Sequence, residues 1–102
     1  MNLKLLKLLN GEIILGDISF PNDDEYLVRN PIAVALMPDP QNPRQPRIGL
    51  MPWIEFSKDK VVTLQKAHVL YCVEPLPDFK REYEAVISNL LLPQKPSLIL
   101  PS

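Results

Sequence analysis

Glycine is scarce in this chain, with three among 102 residues against twelve prolines. So few glycines leave little material for phosphate-cradling loops, and the prolines exclude long uninterrupted helices and confine strands to edges, ends and bends. Histidine, cysteine and tryptophan occur once each. One histidine cannot make a multi-histidine metal site within a single chain, and one cysteine leaves no disulfide to close within it. No carboxylate pair is spaced on a common element, so nucleophilic and metal catalysis lack their parts. The expectation is a non-enzyme with no cofactor, no metal and no small-molecule substrate. Excess charge is also missing: eleven Lys and Arg offset twelve Asp and Glu, for a net charge of −1 and a pI of about 5.7. Without a global basic field, any nucleic-acid contact must be local. No apolar run approaches the ~20 residues of a membrane span, and "MNLKLLKLL" carries no small-residue cleavage site. A cytoplasmic protein with no membrane partner is expected.

What is present suits one small folded domain: 46% of residues are hydrophobic and 23% charged. In "LLNGEIILGDI", Gly11 and Gly16 have the spacing of a phosphate-binding loop, but Asp17 and Ile18 follow where Lys and Ser or Thr are needed. The stretch reads instead as a hairpin. Asn10-Gly11 favours a type I′ turn between a strand from Leu3 to Leu9 and one from Glu12 to Phe20. Strand alternation puts Ile14, Gly16, Ile18 and Phe20 on one face, with Gly16 removing a side chain where a sheet must bend sharply. "YLVRNPIAVALM" is a third strand interrupted at Pro31, and "PDPQNPRQPR" a surface loop. Alternation at Ile48, Leu50, Pro52, Ile54 and Phe56 predicts a fourth strand. "VVTL" and "HVLYCVEP" are strands around the short break "QKA", with Cys72 an inert buried thiol. In "PDFKREYEAVISNLLLP", residues Phe79, Tyr83, Val86, Ile87, Leu90 and Leu91 make a helical stripe, begun near Asp78 and ended by Pro93. Trp53 is expected in the core or a subunit interface with an acceptor for its N–H.

Five short bent strands, opening with a hairpin and closing after a tight turn, resemble the Sm and Sm-like family. Gly16, Ile18 and Asp23 match the family's first motif, and Lys66 in "TLQKAHVLYCVEP" matches the basic turn of its second. "LLNGEIILGDI", "RNPIAVALMP", "MPWIEFS" and "VEP" followed by a helix are similar to Sm-like proteins of marine phages, including one of cyanophage origin, over residues 3 to about 90. The resemblance implies a mainly β fold: a small, strongly bent five-stranded barrel over residues 1–76, a C-terminal α-helix over 77–92 packed on the same domain, and a tail over 93–102. It also implies a homo-oligomeric ring, about five to seven subunits by analogy, binding single-stranded RNA in phage or host RNA metabolism, in the cytoplasm of a bacterial host. The typical N-terminal helix has almost no room here, and the C-terminal helix is expected to cover its surface.

In such a ring Lys66 becomes a circle of positive charge for phosphates, Tyr26 a base-stacking platform and His68 a pore-lining residue, with Asp23 beside them. Arg44 and Arg47 would make secondary RNA contacts on one ring face. Two positions depart from the family: Tyr26 stands where an Asn usually reads the uracil edge, and Ala67 where a Gly usually follows the basic residue. The residues alone leave blander readings open, with Lys66 a solvated turn lysine, Tyr26 an ordinary strand tyrosine and His68 a strand-start residue. Asp23, Asp24 and Glu25 would form an acidic rim. The acidic balance, the absent Asn and the apolar Leu98-Ile99-Leu100 suit the alternative, a protein-interaction ring without RNA.

Overall fold

The computed structural model describes residues 1–91; Pro93 and the Leu98-Ile99-Leu100 segment lie outside them. The elements are β1 (Leu3–Leu8), β2 (Ile13–Ser19), β3 (Glu25–Met37), β4 (Arg47–Pro52), β5 (Val61–Gln65), a 3-10 turn (Lys66–His68), β6 (Val69–Val73) and α1 (Pro77–Leu91). All pairings are antiparallel, in the order β4-β3-β2-β1-β6, with β5 also on β3. The mainly β fold with a C-terminal helix is thus as expected, but the sheet is not closed. Among the described residues β5 pairs only with β3 and β6 only with β1, so each keeps one free edge.

The opening hairpin forms by a different turn from the one expected. Of the hairpin's loop residues Gly11 alone has positive φ, 91°, and the Gly11 N–H donates to the Leu8 carbonyl at 2.9 Å while the Leu8 N–H reaches Glu12 O at 2.8 Å. This is a three-residue loop, which needs the left-handed conformation at its last position alone, rather than type I′. Asn10 instead exchanges two hydrogen bonds with Glu12.

The bend comes from a bulge opposite Gly16. Leu15 pairs with Ile32 and Asp17 with Arg29, so Gly16 faces both Asn30, at φ 50°, and Pro31. A Cβ on Gly16 would lie 2.4 Å from Val28 Cγ1, so the close approach of β2 and β3 requires glycine. Beyond this kink the partner of β3 splits in two. Residues 32–37 of β3 pair with β4 and residues 25–29 with β5, so β4 and β5 lie end to end along one strand. The six strand segments read in the sequence therefore all form, with β4 and β5 together occupying the edge of β3 that one long strand of a five-stranded barrel would take. Between them residues 53–60 leave the sheet and return, tied down by Trp53 N–H to Pro31 O (3.1 Å) and Asn30 N–H to Lys60 O (2.7 Å). The fourth strand consequently stops at Pro52 and not at Phe56, which is 97% exposed. The Lys60 ammonium holds this excursion by donating to the Ile54 and Glu55 carbonyls.

β2 is buried on both faces, giving two cores. Leu6, Leu8, Ile14, Ile18 and Val28 fill the concave side, with Trp53, Val62, Leu64 and Cys72 packed on them. Leu3, Leu15, Ile32 and Tyr83 form the second core beneath α1, joined by Phe79, Val86 and Ile87 of the predicted stripe. The helix starts as its sequence suggests: Pro77 fills the first turn, the Leu76 carbonyl accepts from Phe79 and Lys80 N–H, and Asp78 complements the dipole while pairing with Arg81. Tyr83 is 1% exposed, and its hydroxyl donates to the Asn30 carbonyl at 3.0 Å, satisfying a group that the bulge removes from the ladder. Burial, with the Asp17 charge adding to it, pushes this phenol up to about 12.

Candidate functional site

The most chemically mixed surface lies where the loop after β2 meets the turn after β5. β2 ends at Ser19, so Phe20 projects beyond the sheet and is 54% exposed instead of joining the core face its alternation predicts. Its ring meets Tyr26, at the start of β3, edge-on, with centroids 5.6 Å apart and planes at 68°. The Lys66 ammonium lies 5.3 Å from the Tyr26 centroid and 5.6 Å from that of Phe20, within cation–π range of both.

Four hydrogen bonds hold this arrangement. The Lys66 N–H donates to the Asp24 carbonyl at 2.8 Å, joining turn to loop. The Glu25 carboxylate accepts from the Asn22 amide on one oxygen and the Gln65 amide on the other, both at 2.8 Å. Asn22 Oδ1 accepts the Asp24 N–H, closing the loop on itself. Tyr26 also packs its ring on the concave core, and burial, with the adjacent Cys72 thiol contributing, raises its hydroxyl pKa. Cys72 is half-buried, and burial pushes its thiol pKa up as well.

Of the residues picked out in the sequence, Tyr26 and Lys66 are brought into contact. Asp23 is in the same loop, exposed, with no hydrogen bond to its carboxylate among the described residues. His68 ends the Lys66–His68 turn; its side chain is exposed, and its carbonyl accepts the Leu9 N–H at 2.9 Å. Arg44 and Arg47 lie apart: Arg47 opens β4 opposite Met37, at the far end of β3 from Tyr26, with its Nε 3.5 Å from Asp39. Phe20 is the member that sequence reading missed, though Pro21 directly after it signals that the strand ends there. Trp53 is half-buried on the concave core, and its indole N–H donates to Glu12 at 3.2 Å.

Among the described residues no three His, Cys, Asp or Glu side chains gather as a metal site, and no helix is long and apolar enough to cross a membrane. The cluster offers ring faces and one cation, which suit stacking and phosphate contact. The Sm-like domain family matches the chain over residues 5–84, from within β1 to within α1. The chain belongs to the Sm-like family. No curated protein sequence matches it. Members of this family are generally non-catalytic RNA-binding or assembly proteins that typically form oligomeric rings. In this Sm-like chain the loop after β2 carries Asp23 and the 3-10 turn carries Lys66, so the fold joins two segments whose named residues stand 43 positions apart in the chain.

Proposed function

We propose that this Sm-like protein forms a homo-oligomeric ring and binds single-stranded RNA without catalysis, through Phe20, Tyr26 and Lys66. The observation that carries the reading is the aromatic pair capped by a lysine on the joined loops. Aromatic faces stack on bases, worth about 1–3 kcal/mol per base in single-strand binders, while an ammonium contributes phosphate attraction. A ring repeats this small site around an axis and gains avidity from the repetition.

The free edges support assembly. β5 and β6 are each five residues long, and both expose apolar side chains: Val61 on β5, and Leu70, Tyr71 and Val73 on β6. Pairing β5 of one copy with β6 of the next would satisfy both edges and propagate head to tail until it closes, at about five to seven copies by family analogy. If the gene is phage-borne, as its sequence resemblance implies, the RNA would be phage or host transcripts in the bacterial cytoplasm. His68 and Asp23 would then border the bound strand, and Arg44 and Arg47 would meet RNA only at a separate place on the ring.

A second reading, a protein-interaction ring without RNA, draws on the exposed Asp23 and Asp24 beside the cluster, whose charges repel phosphate. Native mass spectrometry together with fluorescence anisotropy separates the readings. The RNA reading expects a closed oligomer with saturable, salt-sensitive binding that Lys66→Ala weakens. A stable monomer would overturn the ring, and an oligomer that binds no RNA at tens of micromolar would leave only the protein-interaction reading.

A further inference from the structure

The sheet face under α1 is left open beside Ile87. A cavity of about 250 Å³ lies between the kink, the excursion at residues 53–60 and the helix, walled by Pro31, Pro52, Ile54 and Ile87. Its two charged neighbours are unequal. The Lys60 ammonium is turned onto the Ile54 and Glu55 carbonyls, whereas the Glu55 carboxylate is exposed and meets no cation within ion-pair distance among the described residues. Such a cavity suits an aliphatic segment that brings a positive charge and no negative one.

The chain itself carries that segment. Residues 92–102 hold no Asp or Glu, one cation at Lys95, and the aliphatic run Leu98-Ile99-Leu100. Six residues, 92 to 97, separate the end of α1 from Leu98. Extended chain spans up to ~3.3–3.6 Å per residue, or roughly 20 Å over that stretch, while Ile87 stands one turn before Leu91, about 6 Å along the helix axis. The run therefore has ample length to reach the cavity of its own chain. Pro93 cannot continue a helix, which favours the reversal this path needs.

We infer that Leu98-Ile99-Leu100 docks in this cavity within its own chain and straps α1 to the excursion, with Lys95 beside Glu55. Lys60 and Lys66 flank β5 at opposite ends, so the strap acts on the framework and stands apart from the RNA reading.

The test is methyl NMR on the full-length, unmodified chain, where misfolding of a variant cannot mimic the result. Cross-peaks from the Ile99 methyls to those of Ile54 or Ile87 are expected, and they should persist per labelled chain after mixing with excess unlabelled protein. Ile99→Asp should then speed hydrogen exchange at the Trp53 and Asn30 amides, whose bonds tie the excursion down, by about tenfold. Absence of those cross-peaks would overturn the inference. So would cross-peaks that fade on dilution with unlabelled chain, since the segment would then sit on a neighbouring copy, and so would unchanged exchange in Ile99→Asp.

Discussion

Two parts of β3, separated by the Asn30-Pro31 kink and the residues just before it, have opposite surroundings. At the kink the packing is tight: Val28, Pro31 and Ile32 are buried, Gly16 leaves no space, and Tyr83 caps the bulge carbonyl. At the strand's start Tyr26 supports a mostly exposed phenylalanine and a lysine that folding does not need to bring together. The first part sets the shape through packing and hydrogen-bond satisfaction. The second keeps apolar surface and charge in water, a combination that contributes little to stability and is available for a ligand.

This contrast can be broken from either side. The largest effect is expected from Leu15→Ala, which opens a cavity in the core under α1 and should cost about 2–5 kcal/mol in urea denaturation while leaving the RNA affinity of the folded fraction unchanged. Next comes alkaline pH. The unfolded Tyr83 phenol ionises near its ordinary 10, whereas the folded one stays neutral until about 12. Its stabilising contribution is therefore complete below pH 10 and is lost as pH rises toward 12, a change of roughly 2–3 kcal/mol. Tyr83→Phe should remove that part of the pH dependence when the two proteins are compared by denaturant titration across this window, and an identical profile would show that Tyr83 is not the source. The smallest effect on stability belongs to Phe20→Ala, under about 0.5 kcal/mol for an exposed side chain. A loss as large as that of Leu15→Ala would mean that Phe20 is structural and the contrast false.

The legibility of these regions in the sequence follows the same division. The helix over Pro77–Leu91 was readable because a 3.6-residue stripe and a starting Pro-Asp agree, and the hairpin because Asn-Gly marks a reversal even when its turn type differs. Gly16 was readable as a bend, although the bulge itself depends on the two-against-one pairing with Asn30 and Pro31, which no local pattern encodes. Alternation misled at two places for one reason: it continues in sequence past the point where hydrogen-bonding partners run out. Phe20 follows the last residue of β2, and Ile54 and Phe56 follow Pro52, so all three keep a strand's periodicity without a strand's neighbours. Tyr26 and Lys66 were reached through family resemblance; their contact arises from β3–β5 pairing, a long-range event invisible to either segment alone.

The excursion at residues 53–60 has a consequence for change over time. It departs from and rejoins the same ladder at adjacent points, and two backbone hydrogen bonds fix those points. Its length is thereby uncoupled from the register of β4 and β5, much as an expansion joint isolates two rails. Insertions among the exposed residues 56–59 are expected to leave Lys66 in place relative to Tyr26.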